Sequence, residues 1–270
     1  MKPFKPNLKL VHPKPQPTGR GLVEANGFSV SIDKTLLLKG LSFQLVEKQL
    51  TCIIGPSGSG KSTLLRSLNR INDNIPGFSA TGQLFYAGEN IYSPEMNPVE
   101  LRRKIGMVFQ KPCVFPQSIV DNVLFGLQKR PRCKKDRAHL SMQPLKDVHL
   151  WDEVAHRLHD RADTLSIGQQ QRLCIARTLA IQPDLIMLDE PTSSLDPLST
   201  LAIESLLMEL KVRHNILLVT HNIQQARRIA DNIIFLCDGQ IVEQGRKEDI
   251  FTHPKKTQTR NYLDNQLCDC

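Results

Sequence analysis

Nine residues, Gly55-Pro56-Ser57-Gly58-Ser59-Gly60-Lys61-Ser62-Thr63, restrict what this chain can fold into more than any other stretch. The apolar run 50–54 before them reads as a buried strand, and 62–68 after them reads as the start of a helix. A strand, a glycine-rich turn and a helix in that order make a cradle for an anion. Gly55, Gly58 and Gly60 let backbone N–H groups turn inward, and the helix N-terminus adds its partial positive charge. Lys61 is placed to reach the β- and γ-phosphates of a nucleotide, and the Ser62 hydroxyl to ligate Mg²⁺. A glycine-rich turn with no ligand is the alternative, and the partners found farther along the chain weigh against it.

With 270 residues, 40% of them hydrophobic, the chain can build a core in one large domain or two modest ones. No apolar run approaches the roughly 18 residues that span a bilayer, and Met1-Lys2-Pro3-Phe4-Lys5-Pro6 lacks the apolar segment of a signal peptide. The expectation is a protein that stays where it is made. Seven cysteines without C-x-x-C spacing suit a reducing cytoplasm; Cys268 and Cys270 sit in a polar tail, where a metal clip is the alternative to idle thiols. Much of the net charge of +8 lies at the front, where Lys2, Lys5, Lys9, Lys14 and Arg20 precede the first acid, Glu24, among five prolines. Residues 1–20 therefore read as a basic, extended, solvated tail, with attraction to acidic lipid headgroups or RNA as the alternative, and no nucleic-acid partner is expected.

From Gly21 the pattern alternates. Phe28, Val30 and Ile32 share one face, and with 41–46 they predict two antiparallel strands ahead of the cradle. Residues 82–92 predict a short hairpin, 98–103 a helix, and 105–109 a strand ending on Gln110. Between 112 and 164 helix formers and charges dominate, at 119–128 and 134–159, which predicts an inserted helical region. The basic run 129–135 within it reads as a solvated linker, with a contact surface for acidic groups as the alternative. Helices at 168–181, 197–212 and 223–230 then alternate with strands at 185–188, 216–219 and 233–236, and a hairpin follows to 242. The fold class is α/β, a largely parallel helix-covered sheet with an antiparallel flank.

A triphosphate site needs a carboxylate to orient the metal, and Asp189 ends the apolar run 185–188. Glu190 beside it can accept the proton of a water aimed at the γ-phosphate; a plain turn cap is the alternative for the pair. His221 follows another strand and could orient the water or the γ-phosphate, or be a bystander.

Leu165-Ser166-Ile167-Gly168-Gln169 begins 24 residues before Asp189 and resembles the signature sequence of ABC-transporter ATPases. The order of motifs is similar to that family's throughout: the cradle, Gln110 as the Q-loop, the signature, Asp189 with Glu190, Ser194-Leu195-Asp196 as the D-loop, and His221 as the switch histidine. Residues 115–123, 169–177, 196–200, 220–226 and 253–259 resemble the ATP-binding subunits of phosphate importers in particular. The resemblance covers 21–265 and implies a RecA-like P-loop NTPase core at about 21–112 and 165–265, with a helical subdomain at about 113–164.

It also implies that two chains close head to tail over two ATP molecules. Lys61, Asp189, Glu190 and His221 come from one chain, and Ser166, Gly168 and Gln169 with Asp196 complete the site from the other. Gln110 senses Mg²⁺ and, with a pocket near Phe115, meets integral membrane permease subunits, two of them, which an external binding protein serves. The place of work is the cytoplasmic face of the membrane, and the expected cargo is inorganic phosphate. Another anion or a polar amino acid is the alternative cargo; a soluble ABC ATPase acting on DNA or ribosomes and a partner that binds ATP without turnover are the alternative classes. Two residues depart from the family pattern. Ile32 (or Ser31, by the count from Gly55) stands where an aromatic ring stacks on adenine, and Ile167 where the signature has glycine. Weak adenine discrimination is expected unless Phe28 or another ring moves in.

Overall fold

A computed structural model describes residues 21–129 and 131–264; the tail 1–20 and the pair Cys268 and Cys270 lie outside the described residues. The strands are β1 (Val23–Ile32), β2 (Thr35–Leu45), β3 (Leu50–Ile54), β4 (Phe78–Tyr86), β5 (Glu89–Asn90), β6 (Ile105–Val108), β7 (Leu185–Asp189), β8 (Asn215–Val219), β9 (Asn232–Cys237) and β10 (Gln240–Arg246). The helices are α1 (Lys61–Leu68), α2 (Pro98–Lys104), α3 (Ile119–Val123), α4 (Lys134–Asp147), α5 (Trp151–Val154), α6 (Ile167–Leu179), α7 (Pro197–Leu210), α8 (Ile223–Ile229), α9 (Lys247–Thr252) and α10 (Thr257–Leu263). One sheet, ordered β10-β9-β3-β8-β7-β6, is parallel except for β10; a second, β2-β1-β4-β5, is antiparallel.

The central strands are apolar without interruption because both faces are covered. Successive side chains point to opposite faces. Cys52, Ile186, Leu188, Leu218 and Phe235 therefore join one core with residues of α3, α6 and α7. Ile53, Leu185, Met187, Leu217 and Leu236 join another, with Leu64, Leu65 and Leu68 of α1 and the inner face of the antiparallel sheet. Helix starts are written in the chain: Asn97 caps α2, Asp196 caps α7 ahead of Pro197, Asn222 caps α8, and Ser166 with Gln169 forms a capping box on α6.

Several elements differ from the sequence expectation. The second strand starts at Thr35, because Asp33 and Lys34 adopt left-handed φ values of 46° and 72° and close a tight hairpin without glycine. Register shifts interrupt β1 around Gly27, and at the far end of the strand, beside the Asp33–Lys34 turn, Ile32 is only half-buried while Phe28 and Val30 are buried. The expected 82–92 hairpin is present, with Phe85 opposite Asn90 and Tyr86 opposite Glu89, but its first strand is the end of a longer β4 whose main partner is β1. The helical stretch 134–159 breaks at His149 (φ 52°), between α4 and α5. Helices α9 and α10 have no counterpart in the expectation, being too short for an apolar period to show.

Candidate active site

Four parallel strands deliver their next residues to one edge of the sheet: β3 runs into the Gly55 loop, β6 toward Gln110, β7 into Glu190 and β8 toward His221. In open parallel sheets this carboxyl edge is where ligands sit. Gly55 (φ 151°) is obligatory, since a Cβ there would lie 1.9 Å from the Leu236 carbonyl oxygen. Gly60 precedes α1 and offers no side-chain cap, so the first N–H groups of the helix face the loop unclaimed by a side chain. Pro56 is half-buried, Ser57 and Gly58 are exposed, Ser59 is buried, and Thr63 is half-buried in the first turn of α1.

Lys61 is buried and curls back over this loop, its Nζ donating to the Gly55 carbonyl at 3.0 Å and the Pro56 carbonyl at 2.6 Å. Burial holds its pKa below the ordinary lysine value, against the opposite pull of Glu190 and Asp189. Asp189 is 3% exposed. Its Oδ1 accepts from the Ser62 hydroxyl at 2.9 Å, and Arg66 Nη2 lies 3.6 Å from Oδ2. Burial pushes this carboxyl up from its ordinary value, and the Ser62 bond and Arg66 charge work the other way.

Glu190 has a left-handed backbone, φ 46°, with its N–H donating to the Val219 carbonyl at 2.9 Å. Gln110 Nε2 donates to Glu190 Oε2 at 3.1 Å, and His221 Nδ1 lies 3.0 Å from the same oxygen. Three residues from three strand ends thus meet on one atom. A cleft of about 500 Å³ opens beside them, with Thr192, Thr200, Leu201 and Arg228 in its lining.

The remaining sequence-predicted residues stand apart. Ser166 is exposed at the start of α6, where its hydroxyl accepts from the Gln169 N–H at 3.3 Å; Gln169 in turn donates from its side chain to Glu153 at 2.7 Å. Gly168 lies against Ser199, where an added Cβ would come within 3.0 Å of the hydroxyl oxygen, and Ser199 Oγ donates to Asp196 at 2.5 Å. Among the described residues no hydrogen bond or ion pair joins Ser166, Gly168, Gln169 or Asp196 to the cradle, Gln110, Asp189, Glu190 or His221.

The family model described as "ABC transporter" matches residues 38–193. The chain belongs to the ABC transporter family. It is 46% identical, over 91% of its own length and 98% of the relative's, to the phosphate import ATP-binding protein PstB of Thermotoga maritima. It is 48% identical, over 90% and 96%, to PstB 1 of Streptococcus agalactiae, and 47%, over 87% and 86%, to PstB 1 of Vibrio cholerae. Among solved structures it is similar to cbiO1 of Clostridium perfringens, part of the ABC transporter complex cbiONQ, with a TM-score of 0.75 and 28% identity over 91% of this chain and 96% of that one. A bacterial Atm1-family ABC exporter with ATP bound shares the fold, with a TM-score of 0.75 and 24% identity over 92% and 43%.

At Ile32, the position from which the sequence reading expected an adenine contact, the structure supplies no ring. Ile32 ends β1, half-buried and paired with Thr35 and Phe78. Phe28 does not take over, since its ring is 1% exposed and stacked on Tyr92 at 5.8 Å between centroids. Sequence reasoning missed Arg66, although its place one turn after Ser62 on α1 is a usable signal. It also missed Gln171, fully buried on α6, whose side chain donates to the Phe109 carbonyl at 3.4 Å next to Gln110. No spacing rule points to that contact.

Proposed function

We propose that this chain is the ATP-hydrolysing subunit of an importer of inorganic phosphate. It works at the cytoplasmic face of the membrane as a head-to-tail pair, docked on two permease subunits that an external binding protein supplies. The near-full-length similarity to proteins named for phosphate import carries the cargo. For the described residues, no helix is long and apolar enough to cross a membrane, so the translocation path belongs to other chains. Helices α3, α4 and α5 form a subdomain at about 113–164 that carries the permease contact. Its exposed aromatic surface is Phe125, 40% exposed, with Phe115 packed on it at 4.1 Å, and Phe109, also 40% exposed, follows β6 just ahead of the subdomain. Loss of uptake with retained basal ATPase activity in Phe125→Ser supports that contact; unchanged uptake refutes it.

The residues fit a small hard cation. Buried Asp189 and the Ser62 hydroxyl beside it form an oxygen donor pair, with the Gln110 amide close to Glu190. Mg²⁺ held there supplies neutralisation of charge on the β- and γ-phosphates. Lys61 exchanges the Gly55 and Pro56 carbonyls for phosphate oxygens, while the backbone N–H groups of the cradle and α1 line the same anion. Glu190 takes the proton of the attacking water, giving ADP and phosphate, and Gln110 and His221 hold the carboxylate in place through Oε2. Ser166 and Gly168 of the second copy donate to the γ-phosphate, so hydrolysis removes the bridge between chains and ATP binding is converted into motion.

The test is uptake of radiolabelled phosphate at low external concentration by cells whose only copy of the gene is wild type or Glu190→Gln. Lost uptake in the variant supports both the cargo and the role of hydrolysis. Equal uptake, with the variant protein present and no other phosphate transporter, rejects them.

A further inference from the structure

Behind Glu190 lies a buried polar network that none of these roles uses. Glu204 on α7 is 4% exposed and accepts two bonds from Arg228 on α8, at 2.8 and 2.7 Å. Gln225, fully buried on α8, donates from its amide nitrogen to Thr192 Oγ1 at 2.9 Å and to Glu204 Oε1 at 3.3 Å. An ionised carboxylate can only accept, so the NH₂ group must face Glu204, and that choice fixes the whole amide. Gln225 Oε1 is then left buried with no hydrogen-bond partner among the described residues. An unpaired interior acceptor is a standing cost, which a plain apolar side chain at this position would avoid.

What the amide secures is the turn after Glu190. A left-handed φ at a residue with a Cβ is strained and persists only where its surroundings enforce it. Backbone bonds hold the two ends of the turn, Glu190 N–H to the Val219 carbonyl at 2.9 Å and Ser193 N–H to the Glu190 carbonyl at 3.2 Å. Between them Thr192 is the residue whose side chain ties the turn to a helix. The same Gln225 is tied to the His221 side of the site. Its N–H donates to Asn222 Oδ1 at 3.0 Å, and the Asn222 N–H donates to Thr220 Oγ1 at 3.0 Å, bracketing His221.

We propose that the Thr192–Gln225 bond is a strut, and Gln225 a positioning residue, that keeps Glu190 in its left-handed conformation with its carboxylate against Gln110 and His221. The proposal rests on Glu190 being the base. The strut acts on turnover and not on nucleotide binding, because among the described residues the cradle shares no hydrogen bond with Thr192, Gln225, Glu204 or Arg228.

The experiment is steady-state ATPase kinetics on the full chain with Thr192→Val, which keeps the shape and removes the hydroxyl, and Thr192→Ser, which keeps the hydroxyl. Thr192→Val is expected to lower kcat by about tenfold or more, as small misplacements of a reacting group do, with KM for ATP unchanged. Thr192→Ser is expected within about twofold of wild type, and adding Thr192→Val to Gln225→Met is expected to slow the chain no further than Gln225→Met alone, since the Thr192–Gln225 bond is already lost there. Without nucleotide, hydrogen exchange across 190–196 is expected to speed up in Thr192→Val and not in Thr192→Ser. Wild-type kcat in Thr192→Val, a raised KM in place of a lowered kcat, or equal damage from Thr192→Ser overturns the strut. Glu190→Gln in the same assay separates the two claims: if it is inactive while Thr192→Val is normal, only the strut fails; if it turns over normally, the base assignment fails and takes the strut with it.

Discussion

Lys61, Asp189 and Glu190 are each hydrogen-bonded inside this chain, whereas Ile167, Leu198 and Leu201, around the start of α6 and α7, stand 54%, 80% and 52% exposed. The sheet-edge half draws its order from burial and pairing, with strained backbone at Glu190 held by neighbours. The signature half spends its polar side chains on its own helix starts, Ser166 on α6 and Asp196 on α7, and leaves apolar surface in water. A half-site of the first kind can be set before any partner arrives. One of the second kind is finished by whatever covers it, and the proposed second copy does so.

The contrast breaks most visibly at Asp189. Asp189→Asn keeps an acceptor for Ser62 and removes a buried charge. Turnover is expected to fall at least about a hundredfold, while the melting temperature without nucleotide rises by a few degrees as about 1 kcal/mol of desolvation is relieved. The folded pKa of Asp189 is raised, so the parent gains stability as pH falls through it, and the gap between the two is widest near neutral pH and closes in acid. A lower melting temperature for the variant at pH 7 would contradict this.

Smaller effects sharpen the same comparison. Arg228→Met strands the Glu204 carboxylate in the interior and should cost about 3 kcal/mol in urea unfolding, whereas Glu204→Met leaves a half-exposed guanidinium and should cost about 1. Equal losses would mean that the pair is not asymmetrically buried. Ile32→Tyr should tighten ATP binding by about two- to tenfold, the worth of a stacked ring, from a parent with comparable ATP and GTP affinities measured by competition. A parent that already favours ATP strongly refutes the reading of Ile32. On the open half, burial raises the Glu153 carboxyl, but bonds from Arg172 and Gln169 outweigh it and hold the group below the ordinary 4.5. Its contribution is full above that pH and lost as pH falls through the lowered value. Glu153→Gln should therefore cost a few tenths of a kcal/mol at pH 7 and nothing in strong acid; a loss independent of pH would show that its charge is irrelevant.

The edge of the sheet was legible because Gly55, Gln110, Asp189 and His221 all follow closely on apolar runs, and uninterrupted runs of that length are what a doubly covered parallel strand requires. The separation of Ser166 and Asp196 from that edge entered only through family resemblance; nothing in residue spacing says that the two groups stay apart. The network behind Glu190 was not legible at all. Thr192, Glu204 and Arg228 reach Gln225 or one another across 33, 21 and 24 positions, through the packing of α7 on α8, which a single sequence does not encode in any local pattern. The Asp33–Lys34 turn was missed for the opposite reason: the signal is local, but the glycine that usually announces such a turn is absent.

Mixing two inactive chains tests the shared site most directly. Chains carrying Glu190→Gln and chains carrying Gly168→Asp are each expected to be inactive alone, since every site in either pair lacks one half. Mixed in equal amounts, half of the head-to-tail pairs hold one intact site, Glu190 from one chain and Gly168 from the other, and about a quarter of wild-type turnover should return. No recovery above the two parents would mean that Gly168 serves the cradle of its own chain, and the head-to-tail pairing would fall.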